Sequence, residues 1–306
     1  MSQRLTELYE TYVDRTAHKH KWGPMYLLMT AWEHFIGIVG DMKVRDFSLD
    51  HAEIFQATLA RRKYKPRTIN GYVKAISPMF TYAVKHRLID RNPFIGIGHM
   101  KVPQKEVETF SIEEVQMMVA ASPDDMWRAR ILAAATAGLR RTEVMNLTFD
   151  EIHGDCIVLQ AKDDTDRTWR WCPKSYLLGR LPLAPQLSQL FMKLLAELPA
   201  GQPYPMLEPA KYAERRAELL AGTLSERHRQ SPTEYWKPFK DLLDRLGMRK
   251  NRSFHNLRKT AITQWSRMVP PQDLKTLARH ADIETTVRYY SAVSSDLLDR
   301  AVITVG

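Results

Sequence analysis

One short stretch of this sequence departs from a helical pattern that runs through most of the 306 residues. Cys156-Ile-Val-Leu-Gln160 is a run of β-forming residues, and Arg167-Thr-Trp-Arg-Trp171 alternates between polar and apolar positions. We expect the two runs to pair as strands across a polar turn that contains Lys162. Because the segments around them have the period of a helix, the sequence predicts a mainly α protein with a small β-sheet, of the α+β class.

A break after residue 90 divides the chain into two domains. The segment from Asp90 to Pro93, followed by Gly96 and Gly98, interrupts the helical pattern. We therefore predict a helical domain over residues 1–100, a linker over 101–108, and a mixed α/β domain over 109–306 that ends in a C-terminal tail. The helices expected in the first domain cover residues 4–16, 24–39, 48–62 and 66–87.

The second domain opens with a helix-start signal. Ser111-Ile-Glu-Glu114 has the form of a capping box, so a helix should follow it. A second helix from Asp124 should end at Gly138, and residues 140–147 should form a short helix of their own. After the two strands, the apolar pattern predicts helices over about 185–198, 207–220, 233–246, 255–268 and 271–279, and a final short helix that contains Tyr289.

The chain carries a formal net charge of +10, and most of this charge lies in the first domain. Residues 1–105 contain 17 Lys and Arg against 9 Asp and Glu, a net charge of +8. The densest basic run lies between the third and fourth predicted helices. Alone it is compatible with a solvated helix end, but in a basic helical domain it favours contacts with phosphates. The candidate DNA-binding residues are Arg61, Arg62, Lys63, Lys65, Arg67 and Lys74.

Hydropathy and cysteine content argue against several other classes of protein. No apolar stretch approaches the ~20 residues of a membrane span, and the first ten residues lack the layout of a signal peptide. Cys156 and Cys172 suggest no disulfide framework, and together with His153 they lack the paired spacing of a zinc site. We therefore expect a cytoplasmic protein with no metal, no cofactor and no membrane partner.

Three groups of polar residues in the second domain could carry chemistry. In Thr136-Ala-Gly-Leu-Arg140-Arg-Thr-Glu143, the arginine follows a glycine-ended helix, and Glu143 lies one helical turn on, where it can hold the guanidinium. In His255-Asn-Leu-Arg258, the i, i+3 spacing puts both side chains on one helical face, from which they can grip a phosphate. The third group contains His280 and Tyr289. Each group alone is also compatible with surface ion pairs, helix capping or core packing.

The order of these groups resembles the tyrosine recombinase (phage integrase) family, of the two-domain type. The matching phrases are TAGLRRTEV, AKDDTDR, FHNLRKT and LARHADIETTVRYY, and they span about residues 136–290. The resemblance implies a helical core-binding domain followed by a catalytic domain. It also implies a set of catalytic roles: Tyr289 is the nucleophile, Arg140 and Arg258 clamp the scissile phosphate, Lys162 is the general acid, His255 and His280 complete the site, and Glu143 supports the first arginine.

The resemblance further implies a reaction and its partners. Attack by the tyrosine would give a 3′-phosphotyrosyl DNA and a free 5′ hydroxyl, without metal or ATP, and strand exchange would pass through a Holliday junction. The implied partners are double-stranded DNA at a recombination site, further copies of the chain in a tetramer on paired sites, and accessory DNA-binding proteins. The implied setting is DNA recombination or integration, as in mobile elements, at the nucleoid of the cytoplasm.

The sequence is also compatible with two other functions. The same residues could serve a type IB topoisomerase-like enzyme, which cuts and reseals one strand without exchange. A non-cutting DNA-binding protein could also keep the fold. The presence of a residue of the expected type at every catalytic position argues against this second alternative.

Several positions depart from the usual sequence motifs of the family. Arg279 stands where a glycine usually precedes the histidine, and Lys259 stands where a second histidine often follows the arginine. The phrase Leu181-Pro-Leu183 comes later than in the family's hairpin, and the extra segment contains Lys174, which competes with Lys162 for the role of general acid.

The C-terminal region leaves two further questions. Tyr290 stands beside Tyr289, but the nine-residue spacing from His280 favours Tyr289 as the nucleophile. The tail carries an apolar stripe, which is either core or a segment that docks on a neighbouring subunit. We favour docking. The stripe consists of Leu297, Leu298, Ala301 and Val302.

Overall fold

The computed structural model describes residues 3–19, 22–103, 107–174, 179–230, 236–248 and 252–291, and the statements below concern these residues. The chain folds into two compact units, Met1–Lys105 and Glu106–Gly306. None of the described helices is long and apolar enough to cross a membrane. The predicted tail stripe lies outside the described residues, and so does the start of the helix that was expected at residue 233.

The first unit consists of helices. They are α1 (Leu5–Thr16), α2 (Trp22–Val39), α3 (Leu49–Arg61) and α4 (Pro66–Lys85), with 3₁₀ turns at Ala17–Lys19 and Val44–Asp46. The helices predicted from the sequence lie where they were expected, to within about two residues at each end.

Aromatic packing forms the centre of this unit. The Phe35 side chain is fully buried, and its ring centroid lies 5.4 Å from that of Phe47, 5.3 Å from Phe55 and 6.1 Å from Phe80. Helix α4 continues through Pro78, because the buried residues on either side of it hold both halves of the helix against the core.

The second unit is built around a helix that is buried on nearly all sides. It contains α5 (Ile112–Ala120), α6 (Asp125–Ala135), α7 (Arg141–Asn146), α8 (Pro185–Glu197), α9 (Pro209–Leu220), α10 (Glu226–Gln230), α11 (Trp236–Arg245), α12 (Phe254–Ser266), α13 (Pro271–Ala278) and α14 (Ile283–Ser291). The small alanines of α6 let α5, α8 and α12 pack closely against it. This central helix also contacts α7, so α7 and α12 both pack against it.

A three-stranded antiparallel sheet completes the second unit. Its strands are β1 (Ile152–His153), β2 (Cys156–Leu159) and β3 (Gly179–Pro182), in the order β1-β2-β3, with Val158 opposite Arg180. The predicted mainly α fold with a small sheet is confirmed.

The second predicted strand was wrong. Residues 167–171 do not form a strand, and β3 takes the place beside β2; only an isolated bridge joins Lys162 to Trp171. The Trp169 side chain is fully buried, stacks on Tyr204 with ring centroids 4.2 Å apart, and donates to the Asn146 side chain at 2.8 Å. The aromatic residues that made the segment look like a strand therefore anchor it in the helical core.

The connection between β2 and β3 is held down over residues 163–171. The Tyr212 hydroxyl donates to the Arg167 carbonyl at 3.2 Å, and Arg216 Nε donates to the Asp166 carbonyl at 2.7 Å. Arg170 also forms an ion pair with Glu226 at 3.0 Å. These contacts fix the first part of the connection to α9 and α10.

Candidate active site

The first arginine cluster is placed by a tight turn. After α6 the chain turns at Gly138, where φ is +62°, and a Cβ there would lie 2.6 Å from the Trp265 ring. Only glycine fits both the backbone and the space. The turn makes Arg140 the N-cap of α7, and its backbone N–H donates to Glu143 Oε2 at 2.7 Å while its Nη1 donates to Oε1 at 2.8 Å. The fully buried Glu143 thus holds Arg140 at two points.

The second arginine comes from the start of α12. Arg258 is 2% exposed, and its two terminal nitrogens donate to the carbonyls of Gly138 and Ala278. Burial lowers the pKa of its guanidinium to about 9, which leaves it protonated at neutral pH. The i, i+3 spacing predicted from the sequence puts His255 on the same face of α12.

A third arginine enters the cluster from the loop after α13. Arg279 Nη2 donates to Glu143 Oε2 at 2.8 Å, and the Arg279 carbonyl accepts from Arg140 Nη2 at 3.0 Å. Arg258 Nη1 lies 3.9 Å from the same carboxylate. The sequence marked Arg279 only as a departure from a family pattern, because nothing local shows that it reaches a residue 136 positions away.

Glu143 balances only part of the positive charge around it. Burial alone would raise the pKa of its carboxyl, but Arg279, Arg140 and Arg258 lower it below its ordinary value. One carboxylate facing three guanidiniums leaves the cluster with excess positive charge, which suits an anionic ligand such as a phosphodiester.

The two adjacent tyrosines of α14 have different environments. Tyr289 is 7% exposed and stacks on His280, with ring centroids 5.8 Å apart. Burial raises the pKa of its phenol, while the charges of Arg258 and Arg140 act to lower it. The hydroxyl of Tyr290 instead donates to the Val269 carbonyl, and burial together with the nearby Asp273 raises the pKa of its phenol. Tyr289 is thus the tyrosine on whose phenol the charges of Arg258 and Arg140 act.

Both candidate histidines are neutral at pH 7. Loss of solvation and the neighbouring Arg258 lower the pKa of His255 to about 4, and the same two causes lower that of His280 to about 4. His280 Nδ1 lies 3.0 Å from the hydroxyl of buried Thr286, which orients its ring. His255 keeps access to solvent at the edge of the site, although its imidazole loses part of its hydration there. A neutral imidazole can accept a proton or a hydrogen bond.

The two candidate lysines lie in different places. Lys162 Nζ is 2.7 Å from Glu151 Oε2, with side chains 8% and 1% exposed, and it lies over the Trp171 ring at 5.1 Å from the centroid. Lys162 was expected in a polar turn between two strands; its backbone pairs with Trp171 at the base of that turn, and its side chain forms a buried ion pair. Lys174 is exposed, and its charge contributes to the lowered pKa of His255. The Lys174 charge therefore acts on His255, which shares one face of α12 with Arg258.

The six basic candidates of the first unit are all exposed to solvent. They lie at the end of α3, in the turn that follows it, or on α4: Arg61, Arg62, Lys63, Lys65, Arg67 and Lys74. Their contact with DNA stays a prediction. In the part of the chain that the structure describes, no group of three or more His, Cys, Asp or Glu side chains could hold a metal ion.

A tyrosine beside two arginines, in a mainly helical unit with a small sheet, is the arrangement expected of the tyrosine recombinase class. Residues 182–295 match the Phage integrase family. The chain is 23% identical over 271 residues to "Tyrosine recombinase XerC-like" of Caldanaerobacter subterraneus subsp. tengcongensis, covering 78% of this chain and 66% of that protein. It is 23% identical over 254 residues to "Tyrosine recombinase XerC" of Chlamydia caviae, covering 79% and 73%.

Solved structures share the fold. A Tn1549 transposon integrase in complex with circular intermediate DNA matches with a TM-score of 0.63 at 14% identity, covering 95% of this chain and 98% of that one. A lambda integrase tetramer bound to a Holliday junction matches with a TM-score of 0.68 at 13% identity, covering 94% and 77%. The match of residues 182–295 to the Phage integrase family and the two relatives support membership of the tyrosine recombinase family.

Proposed function

We propose that this chain is a site-specific DNA recombinase that cuts and rejoins strands through a covalent link to Tyr289. The observation that carries the proposal is the buried Tyr289 phenol, which stacks on His280 and whose pKa burial raises while the charges of Arg258 and Arg140 act to lower it. The relatives named as tyrosine recombinases support the reaction class.

The arginines suit the transition state of attack on a phosphodiester. Attack builds negative charge on the non-bridging oxygens, and guanidiniums that are already in place stabilise that charge without reorganising. Arg140 is held by Glu143, and Arg258 is held by two backbone carbonyls. Removing one such donor elsewhere costs about 3–4 kcal/mol of transition-state stabilisation.

Proton transfers then complete the step. The Tyr289 oxygen bonds to phosphorus and loses its proton, for which neutral His255 is the acceptor, and the bond from phosphorus to the 5′ oxygen breaks. The products are a 3′-phosphotyrosyl strand and a free 5′ hydroxyl. Because the link conserves the energy of the broken bond, a 5′ hydroxyl can reverse the step without ATP.

The leaving 5′ oxygen needs a proton, and Lys174 fits this role better than Lys162. Lys174 is exposed and acts electrostatically on His255. Lys162 is held in a buried ion pair, and residues 163–171 beside it are anchored to α9 and α10. A general acid must reach the leaving oxygen, so we transfer the assignment from Lys162 to Lys174.

Strand exchange requires several copies of the chain. A lambda integrase of the same fold forms a tetramer on a Holliday junction, and we propose a tetramer on paired duplex sites for this chain. The basic surface formed by Arg61, Arg62, Lys63, Lys65, Arg67 and Lys74 would contact backbone phosphates. We further propose a role in integration of a mobile element, with accessory proteins and a location at the nucleoid.

A nicked suicide DNA substrate tests the proposal. The parent chain, Tyr289→Phe and Tyr290→Phe are incubated with it in EDTA without ATP, and adducts are separated on a denaturing gel. We expect an adduct with the parent and with Tyr290→Phe, and none with Tyr289→Phe. Loss in Tyr290→Phe alone would move the nucleophile by one residue.

The same assay separates the alternative functions. A topoisomerase-like enzyme would form the adduct and relax supercoils but would not join strands from two duplexes. A non-cutting DNA-binding protein would shift the DNA on a native gel and form no adduct. Joined products from two differently labelled duplexes would support recombination.

A further inference from the structure

We propose that Arg279 is a positioning residue that sets the orientation of the phosphate-clamping Arg140 through Glu143; this inference rests on the proposed function. The three residues form one connected unit. Arg279 Nη2 holds Glu143 Oε2 at 2.8 Å, and Oε1 of the same carboxylate holds Arg140 Nη1 at 2.8 Å. The carboxylate therefore transmits the position of one guanidinium to the other.

The backbone of Arg279 is unusual for a residue with a side chain. Its φ is +51°, in the left-handed region that favours glycine, and it follows the last residue of α13. Such a conformation is unfavourable for arginine and persists only where the surroundings enforce it. The side chain at this position therefore provides something that glycine, the residue best suited to the backbone, could not provide.

The side chain is also buried at a cost. The Arg279 side chain is 2% exposed, and its Nε and Nη1 atoms are buried without a hydrogen-bond partner in the described part of the chain. Unpartnered buried donors are unfavourable. In an exposed arginine these nitrogens would donate hydrogen bonds to water. The ion pair with Glu143 is therefore the contact that stabilises the Arg279 side chain in its buried position.

The neighbouring strand makes room for this side chain. A Cβ at Gly179, the first residue of β3, would lie 3.1 Å from Cδ of Arg279. The absence of a side chain at Gly179 lets the arginine stem lie across the end of β3 on its way to Glu143. The path from the αL backbone to the carboxylate is thus built by two positions in different elements.

Two contacts from Arg279 to the cluster can be separated by one substitution. Its carbonyl accepts from Arg140 Nη2 at 3.0 Å, and its side chain holds Glu143. Arg279→Gly keeps the carbonyl and suits the positive φ, so it removes the guanidinium alone. A loss of activity in this variant would come from the side chain.

The experiment measures three quantities for Arg279→Gly: the melting temperature, the Kd for duplex substrate, and the single-turnover rate of adduct formation on the nicked substrate. We expect a melting temperature within a few degrees of the parent and a Kd within about threefold. We expect a cleavage rate lower by roughly 10- to 100-fold, the loss that a misplaced catalytic group causes. An unchanged cleavage rate would overturn the proposal.

A matched variant controls for the backbone effect. Arg87 also has a positive φ, +57°, but it is exposed and lies in the first unit. Arg87→Gly should show the same relief of backbone strain without a change in the rate of adduct formation. If it lowers that rate as much as Arg279→Gly does, the position of Arg279 is irrelevant and the proposal fails.

A double-mutant cycle with Glu143→Gln tests the route. If Arg279 acts through Glu143, Arg279→Gly should have little further effect on the cleavage rate in the Glu143→Gln background. A full, additive loss would show that Arg279 acts by itself and would reject the positioning role. Should Arg279→Gly fail to fold, Arg279→Lys, which keeps the charge but offers a shorter reach, is expected to recover part of the rate; a parental rate would argue against positioning.

The parent chain separates this inference from the proposed function. If the parent and Tyr289→Phe both form no adduct, the recombinase assignment fails, and the inference about Arg279 fails with it. If the parent forms an adduct that Tyr289→Phe lacks, only the behaviour of Arg279→Gly decides the inference.

Discussion

Replacing the two candidate lysines with methionine should produce opposite defects. Methionine keeps most of the apolar stem of lysine and removes its charge. Lys162→Met removes the partner of buried Glu151, while Lys174→Met removes an exposed cation. The first variant should lose stability and keep its chemistry. The second should keep its stability and lose the protonation of the leaving group.

The size of the stability loss in Lys162→Met depends on the hydrogen bonds that Glu151 retains. Removing one member of a buried ion pair costs about 3–5 kcal/mol. Glu151 still accepts from the Thr148 N–H at 2.9 Å, the Thr148 hydroxyl at 3.1 Å and the Gln160 N–H at 2.7 Å. We therefore expect the low end, about 3 kcal/mol, or a melting temperature lower by about 6–12 °C. Lys174→Met should stay within about 0.5 kcal/mol of the parent.

The size of the catalytic loss in Lys174→Met depends on the proton that the leaving 5′ oxygen no longer receives. A general acid contributes about 10²- to 10⁴-fold, so Lys174→Met should cleave the nicked substrate that much more slowly. Replacing the 5′ bridging oxygen of the substrate with sulfur provides a leaving group that departs without protonation, because a thiol is far more acidic than an alcohol. Cleavage by Lys174→Met should return to near the parental rate on the sulfur substrate.

The assay is single-turnover adduct formation on both substrates, at a temperature well below the melting point of each variant. Lys162→Met should cleave both substrates at close to parental rates under these conditions. The reasoning is refuted if Lys162→Met is the slow variant that sulfur rescues while Lys174→Met behaves like the parent. It is also refuted if Lys162→Met melts within a degree of the parent.

Three other predictions concern pH, packing and salt. The DNA-free chain should lose stability as pH falls from about 6.5 to 4. Burial lowers the pKa of His280 from 6.5 to about 4, so the imidazole is protonated in the unfolded chain at a higher pH than in the folded one. Melting curves of His280→Gln should therefore show a shallower decline over this range. Gly138→Ala should lower the free energy of unfolding by about 2–4 kcal/mol in denaturant titrations, because the new methyl group meets the Trp265 ring and the residue keeps a positive φ; a change below about 1 kcal/mol would contradict this account. If Lys65 and Lys74 each contact a phosphate, alanine at either position should make the slope of log K for DNA binding against log salt concentration less steep by about 1. An unchanged slope would show that the residue contacts no phosphate.

Much of this protein could be predicted from its sequence. Helix starts and ends depend on local chemistry, so Pro66 and Ser111 marked helix starts that the structure has at the same positions. The i, i+3 spacing of His255 and Arg258 required a common face once α12 was a helix. The order of the polar groups along the chain by itself indicated the resemblance to the tyrosine recombinases.

The β-rich segment shows where local pattern stops being informative. Trp169 belongs to an alternating run, but its partner Tyr204 lies 35 residues further along, and that stacking contact removes the run from the sheet. Gly179 to Pro182, which carry little strand signal, pair with β2 instead. Strand formation depends on which partners the folded chain supplies, more than on the preferences of the residues themselves.

The same distinction between local pattern and long-range contacts applies to the residues of the candidate active site. The sequence determined which residue types were available and the order in which they occur, because spacing within a helix or turn fixes local geometry. Only the tertiary structure brought Arg279 to Glu143 from 136 positions away and held Lys162 beside Glu151. These pairings depend on long-range packing around α6 and on the exclusion of water from buried charges, and neither quantity has a local signature in the chain.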